Sequence, residues 1–279
     1  MSASPLLSSR EQQVLALVGR FRFLTSWHVQ SLLFNGVRMT PASKEVIARR
    51  TMKALVDARL LQRVARPMGG VAGGSSPHVY CLSVRGASLL ASDESSLPKR
   101  KVPRGTFLLR HALSTADFVI GLQDSAARNS AHRLVEWSCD WETAERVGSK
   151  DLIPDASFIY QSRSMELHAF VEIDLGTMNS KEFAAKIGRY LDLFSAGTWR
   201  ERLQVWPTVL TLAPDPARAL LLKRATEALL QHRGGGLAEA TEFAFAVQAD
   251  ACLDPVGRVW ITAGATDRSS LFPQGDESE

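Results

Sequence analysis

The chain has 279 residues, of which 45% are hydrophobic, 22% are charged and 8% are aromatic, and these fractions exclude a fibrous or wholly disordered protein. No stretch approaches the roughly 18 consecutive apolar residues of a membrane helix, and the N-terminus has no signal-peptide pattern. We therefore expect a cytoplasmic protein without a membrane partner.

The net charge of +4 is unevenly distributed along the chain. The first 110 residues hold 17 Lys and Arg against 5 Asp and Glu, whereas the remaining residues hold 16 against 24. This asymmetry predicts two domains, the first of which has a polyanion as its partner. Of the 33 basic residues 25 are Arg, whose planar guanidinium suits bidentate contacts with phosphate and guanine. A GC-rich genome would explain the preference for Arg, but not the uneven placement.

Three helices and a β-hairpin are predicted within residues 8–92. The first helix starts at a segment with capping-box spacing, 9–12, and the second starts at Thr25 or Ser26 and ends at Asn35-Gly36. The third covers 42–59. Strands at 60–64 and 78–83 enclose a glycine-rich segment, 65–77, and a closing helix follows. This order is typical of a winged helix-turn-helix, in which the third helix enters the major groove and the hairpin lies along phosphates.

The third helix divides into an apolar side and a basic side. Its periodicity predicts the following core residues: Val46, Ile47, Met52, Leu55 and Val56. The side chains expected to project outward and bind DNA are Lys44, Arg49, Arg50 and Lys53, and those expected at the base of the wing are Arg63 and Arg66. Ordinary solvated charges on an amphipathic helix are the alternative interpretation, and the uneven charge favours DNA contact.

A Pro-, Ser- and Lys/Arg-rich segment, 93–106, predicts a basic linker, and a second domain is expected over 107–265. There, helices and strands alternate in the order αβββαβ with an added αββ, which predicts a mixed sheet covered by helices. The whole chain is thus expected to be α+β. The polar tail, 266–279, is predicted to be disordered.

Three carboxylates mark a candidate site in the second domain. Asp155 begins one predicted strand, and alternation places Glu172 and Asp174 on one face of another. Such an oxygen cluster suits Mg²⁺, which could polarise a phosphodiester. Lys186 and Tyr190 are four residues apart on the next helix, and Lys186 could stabilise developing phosphoryl charge.

These residues carry a family resemblance. The segment Glu172-Ile173-Asp174-Leu175-Gly176-Thr177, with Pro154-Asp155 before it and Lys186-Ile187-Gly188-Arg189-Tyr190 after it, resembles the core of the replication-relaxation family. His111 and the segment Val79–Gly86 also fit that pattern. The resemblance implies a DNA-binding protein of plasmids or other mobile elements, with a winged helix ahead of a nuclease-like domain.

The second domain is also similar to the PD-(D/E)xK nuclease fold, in which Asp155 and Glu172 match the two acidic positions. Asp174 stands where that fold has a lysine, and some members supply the lysine from the following helix, which would make Lys186 or Lys181 the substitute. The alternative is that the strand-end carboxylates cap helices or pair with arginines such as Arg189.

Three functions follow from the sequence. The first is a protein that binds double-stranded DNA in the replication or maintenance of a mobile element. The second is a Mg²⁺-dependent DNA nickase or endonuclease, in which Asp155, Glu172 and Asp174 hold the metal and Lys186 assists cleavage. The third is a transcriptional regulator whose second domain is a degenerate nuclease fold used for homodimerisation. A Mg²⁺ cofactor is expected only if the nuclease-like site is active.

Overall fold

The computed structural model describes residues 7–64, 77–92, 106–149 and 151–272, and the chain divides into two compact units, Met1–Ile120 and Gly121–Glu279. The division falls inside a helix, whereas the sequence placed a linker at 93–106. Almost all of that segment (93–105) and most of the predicted hairpin tip (65–76), which includes Arg66, lie outside the described residues.

The first unit has the predicted order of three helices followed by a hairpin. Its elements are α1 (Ser9–Phe21), β1 (Leu24–Thr25), α2 (Ser26–Leu33), α3 (Pro41–Asp57), β2 (Leu61–Val64), β3 (Val79–Leu82), α4 (Val84–Ser92) and the larger part of α5 (Thr106–Arg128). The short strand β1 was not predicted. It pairs with β3, which also pairs with β2, so that the three strands form an antiparallel sheet in the order β1-β3-β2.

Side-chain caps fix where the first three helices begin. Ser8 and Glu11 form a capping box for α1, one residue earlier than the sequence suggested. The hydroxyl of Thr25 accepts a hydrogen bond from the His28 amide at the start of α2. At the start of α3, the hydroxyl of Thr40 accepts one from the Ser43 amide. These bonds satisfy amides that have no partner within the helix.

The core of the first unit differs from the predicted one within α3. In α3 the buried residues are Ala48, Thr51, Met52 and Leu55. Val46, predicted to be in the core, is 46% exposed, whereas Ala48 and Thr51, which were not predicted there, are buried.

The second unit is built on one mixed sheet, as predicted, and the chain as a whole is α+β. Besides the end of α5, it contains β4 (His132–Cys139), α6 (Asp140–Val147), β5 (Ala156–Ser162), β6 (Met165–Ile173), α7 (Ser180–Ala196), a 3₁₀ helix (Thr198–Glu201), β7 (Thr208–Ala213), α8 (Pro216–Arg233), α9 (Gly235–Ala240), β8 (Phe243–Val247), α10 (Gln248–Leu253) and β9 (Ile261–Thr262). The strands lie in sequence order, β6, β7 and β8 are mutually parallel, and the other neighbours are antiparallel.

One face of this sheet packs against α7 and α8. Phe170 on β6 contacts Tyr190 on α7, and both belong to a buried apolar cluster that includes Val209 on β7. Side chains on a strand alternate between faces, so Glu172, two residues after Phe170, also faces α7. Thr211 is the register partner of Glu172 on β7 and therefore lies on the same face.

The segment predicted as a disordered tail begins with residues that pack on the second unit. Ser269 forms a bridge with Trp260, and the buried ring of Phe272 lies 5.9 Å from that of Tyr160. The structure therefore differs from the prediction over 266–272, and residues 273–279 lie outside the described part.

Within the described ranges, every helix is too short or too polar to cross a lipid bilayer.

Candidate functional site

A buried carboxylate on β6 is held by two side chains of α7. Glu172 is only 3% exposed. The Lys186 ammonium donates a hydrogen bond to its Oε2 atom, and the Tyr190 hydroxyl donates one of 2.5 Å to its Oε1 atom. Both oxygens of this carboxylate therefore have a donor from the same helix.

The sequence of α7 explains this arrangement. Asn179 and Glu182 form a capping box that fixes the start of the helix. Phe183 and Ile187 are buried against the sheet. Lys186 and Tyr190 are four residues apart, which places them one above the other on a helix and brings both to the same carboxylate.

Asp155 lies beside this pair, immediately before β5. Its amide donates a hydrogen bond to the Val171 carbonyl at 3.0 Å, and its Oδ2 atom accepts one from the Ile173 amide at 2.8 Å. Because Val171 and Ile173 flank Glu172 on β6, these two bonds hold Asp155 next to Glu172. Its charge acts on Glu172, Lys186 and Tyr190. We call Asp155, Glu172, Lys186 and Tyr190 the Glu172 cluster.

Burial and mutual attraction shift the proton affinities in the Glu172 cluster. Removal from water raises the pKa of Glu172 to about 8, although Lys186 opposes the shift. Burial by itself would lower the pKa of Lys186, but the carboxylates of Glu172 and Asp155 outweigh it and raise that pKa. Burial, followed by the Glu172 charge, raises the pKa of Tyr190 well above its usual value. All three groups thus retain their protons more strongly than in water.

Asp174 was expected to join Glu172 in binding a metal, and the structure gives it a different partner. The Arg218 guanidinium on α8 donates to both of its carboxylate oxygens, at 2.7 and 2.9 Å, and also to the Met178 carbonyl at 2.5 Å. The arginine partner that the sequence suggested, Arg189, has an exposed side chain. Asp174 and Arg218 therefore fix the turn between β6 and α7.

The three predicted ligands do not form a Mg²⁺ site as they stand. Mg²⁺ needs oxygen ligands with near-octahedral geometry, but both oxygens of Glu172 and of Asp174 accept hydrogen bonds from protein donors. Among the described residues, no three His, Cys, Asp or Glu side chains lie where they could hold a metal together. Asp155 and Glu172 could serve as ligands only after Lys186 or Tyr190 had released Glu172. Of the two candidate lysines, Lys186 contacts the carboxylate, whereas Lys181 is exposed.

Sequence reasoning missed Thr211, the register partner of Glu172. This residue is fully buried, and its hydroxyl has no hydrogen-bond partner in the described part of the chain. A buried hydroxyl without a partner is uncommon. No pattern in the sequence indicated it, because its position depends on the parallel pairing of β6 with β7.

In the first unit, the predicted DNA-binding residues of α3 do not all point the same way. The ammonium of Lys44 donates to the Phe34 carbonyl at 2.8 Å, so the prediction that Lys44 projects outward is wrong. The side chains of Arg49, Arg50 and Lys53 are exposed. We call these three residues, together with Ala42 and Val46, the α3 outer face.

Two exposed ion pairs occupy part of the α3 outer face. Arg49 pairs with Glu45 at 2.9 Å, and Lys53 pairs with Asp57 at 2.5 Å. Within the described residues, the side chain of Arg50 makes no hydrogen bond or ion pair, and neither does the exposed side chain of Arg63 on β2.

A contact between the buried His28 and the half-buried Asp117 in the first unit was also missed. His28 accepts a hydrogen bond from the Thr25 amide at Nδ1, 3.1 Å away, and its Nε2 atom lies 2.9 Å from Asp117 on α5. The two residues are 89 positions apart, so local patterns could not connect them. Because Nδ1 accepts, Nε2 carries the proton and donates it to the carboxylate.

The fold and the site together define an α+β protein whose mixed sheet carries a buried ionic cluster near the end of a central strand. The model of the replication-relaxation family matches residues 15–209, which is more than half of the chain. The chain therefore belongs to the replication-relaxation family, as its motifs predicted. Membership suggests a role in the replication of a plasmid or another mobile element. No curated protein and no solved structure matches the chain.

Proposed function

We propose that this protein binds double-stranded DNA in the replication or maintenance of a plasmid or other mobile element. The first unit acts as a winged helix-turn-helix: α3 enters the major groove, and the β2–β3 hairpin contacts the phosphate backbone. The observation that carries this proposal is the α3 outer face, where three cationic side chains lie on the side opposite the helix's buried residues.

The geometry of α3 supports this role. Its buried residues pack within the first unit, so the opposite side faces solvent along the length of the helix. Arg50 is exposed and makes no intramolecular ion pair among the described residues, so DNA binding would not require it to give up a protein partner. Arg49 and Lys53 have only exposed partners, and exposed pairs cost roughly 1 kcal/mol or less to break.

The test is the salt dependence of duplex DNA binding, measured by fluorescence anisotropy on the full chain. Each phosphate contact adds about −0.9 to the slope of log affinity against log salt concentration. Replacing Arg50 or Arg63 with Ala should weaken binding and reduce the steepness of that slope by about one unit per residue.

The matched control is Arg133→Ala, which removes an exposed arginine from the second unit, where it bonds only Gln161 among the described residues. This variant should leave affinity and slope unchanged. Affinity that does not vary with salt, or equal losses in Arg50→Ala and Arg133→Ala, would contradict the proposal.

A second candidate function, a Mg²⁺-dependent DNA nickase, is favoured by one observation. Lys186 reaches Glu172 from the helix that follows β6, beside Asp155, so that two acids and a lysine lie together. In such an enzyme Asp155 and Glu172 would hold the metal and Lys186 would stabilise charge on the phosphate. Since the cluster as it stands does not fit the ion, we derive no chemical step from it.

Supercoiled plasmid incubated with the full chain and Mg²⁺ tests this candidate. A nuclease would relax the plasmid and lose that activity in Asp155→Ala and Lys186→Met, while Asp174→Asn, outside the Glu172 cluster, would retain it if folded. Plasmid that stays supercoiled, or nicking that survives Asp155→Ala, removes this candidate without affecting the proposal on DNA binding.

A further inference from the structure

Val46 is a partly exposed apolar residue on the side of α3 opposite its buried residues. It is nine residues from the buried Leu55, which is about two and a half helical turns, so the two side chains lie on opposite sides of the helix. Ala42 and Arg50 are four residues before and after it, and both are exposed. The first half of α3 therefore presents a row of small, apolar and cationic side chains in that order.

The surroundings of Val46 indicate which partner covers it. Arg49, Arg50 and Lys53 lie on the same side of the helix, and the segment they belong to is strongly basic. An apolar protein surface placed on Val46 would have to remove these charges from water without compensation. A polyanion that also offers an apolar group satisfies both features, and duplex DNA does so in its major groove.

The chemistry of the major groove supplies that apolar group. Thymine presents a 5-methyl there, and no other base of unmodified DNA does. We propose that Val46 contacts the 5-methyl group of a thymine and thereby sets a sequence preference. Four residues of helix span about 6 Å, so Arg50 lies within about two base-pair steps of that thymine. This inference rests on the proposed function.

The position of Val46 agrees with how such helices are used. Residues in the N-terminal part of a recognition helix contact base edges, and Val46 lies in the second turn of α3. Neighbouring Ala42 and Ser43 are small and exposed, so they leave room for the helix to approach the groove.

Replacement of thymine by deoxyuridine, which removes only the 5-methyl group, tests the proposal. The full chain first enriches a duplex from a random-sequence pool, and each thymine of that duplex is then replaced in turn. At one thymine the replacement should weaken binding about fourfold, the value expected for one buried methyl group. In Val46→Ala the same replacement should have almost no effect.

Val84→Ala is the matched control, because Val84 is 77% exposed in the same unit but belongs to α4. The Val84→Ala variant should show the same loss of affinity as the unmodified protein when that thymine is replaced by deoxyuridine. A uracil effect that persists in Val46→Ala would assign the methyl contact to another residue and overturn the proposal, as would a selected duplex that tolerates uracil at every position. Failure to bind any duplex would instead remove the proposed function together with this inference.

Discussion

The α3 outer face and the Glu172 cluster both contain cationic side chains next to carboxylates, but in very different surroundings. The side chains of Lys53 and Asp57 are 69% and 61% exposed, whereas those of Lys186 and Glu172 are 16% and 4% exposed. The exposed pair is screened by water and contributes little to the free energy of unfolding. In the interior, each charge of the buried pair depends on the other, because neither is fully solvated.

Exposed charged side chains can therefore bind a partner molecule, whereas the buried charged side chains are already bound to each other within the fold. The residues of the α3 outer face can exchange their intramolecular partners for phosphate at little cost. In the Glu172 cluster, a ligand that binds Glu172 must displace Lys186 or Tyr190. For this reason we place the DNA-binding proposal first and the nuclease candidate second.

The same substitution made in both regions tests the comparison and should give the largest effect. Measured above pH 8, where Glu172 is ionised, Lys186→Met leaves the buried carboxylate without its cation and should lower the free energy of unfolding of the second unit by about 3 kcal/mol or more. Lys53→Met, in the exposed pair, should cost less than about 1 kcal/mol. Both losses can be measured by urea unfolding, with amide hydrogen exchange reporting on each unit separately.

The double variant Lys186→Met with Glu172→Gln is the control for Lys186→Met. It removes the unpaired charge and should recover much of the lost stability, because the cost arises from the uncompensated carboxylate. Equal losses in Lys186→Met and Lys53→Met would show that burial does not distinguish the two pairs.

The pH dependence of stability follows from the raised pKa of Glu172. A group that binds its proton more tightly when folded stabilises the protein fully below its unfolded pKa, and this contribution is lost as pH rises through the folded pKa. For Glu172 that window runs from 4.5 to about 8. The second unit should therefore lose about 2 kcal/mol between about pH 5 and about pH 7. The raised pKa of Lys186 acts only at higher pH.

Glu172→Gln should abolish this loss, as followed by urea unfolding with tryptophan fluorescence. The control Glu11→Gln alters a half-buried acid of the first unit whose pKa is lowered by its hydrogen bonds with Ser8. Its effect should be small and opposite in sign, since that stability is present above the unfolded pKa. A pH profile that Glu172→Gln leaves unchanged would assign the titration to another group.

Close packing against glycine offers a smaller test in each unit. A Cβ atom on Gly86 would lie 2.1 Å from the Leu60 carbonyl oxygen, and one on Gly121 would lie 2.2 Å from that of Cys252. Both neighbouring atoms belong to the backbone and cannot easily move aside. Alanine at either position should therefore lower the free energy of unfolding of its own unit by about 1 to 2 kcal/mol, as measured by hydrogen exchange. Gly236→Ala, with nothing within 4 Å, should be neutral or slightly stabilising. A loss at Gly236 equal to the other two would contradict this explanation.

Sequence reasoning succeeded where the signal was local. Capping residues and apolar periodicity predicted the helices of the first unit, and alternation predicted the mixed sheet of the second. Local signals were too weak for α6, a short helix that directly follows β4, and for α9, a short helix that begins with two glycines.

Predictions failed where a side chain's environment depends on distant residues. Val46 was assigned to the core because apolar spacing alone did not show which side of α3 is covered. Alternation placed Glu172 and Asp174 on one face of a strand, but it could not reveal that Arg218, 44 residues after Asp174, binds the Asp174 carboxylate. The partner that determines each charge comes from tertiary packing, which a single sequence does not display.

The smallest expected effect tests whether the polar interior of the second unit extends from Glu172 to the neighbouring strand. Thr211→Val removes a buried hydroxyl without a described partner and should stabilise the protein by up to about 1 kcal/mol. Thr226→Val is its matched control: that buried hydroxyl donates to the Leu222 carbonyl at 3.0 Å, so its loss should destabilise by about the same amount. Urea unfolding with tryptophan fluorescence measures both. Destabilisation by Thr211→Val would mean that its hydroxyl is bound, and the Glu172 cluster would then include a fifth polar group on β7.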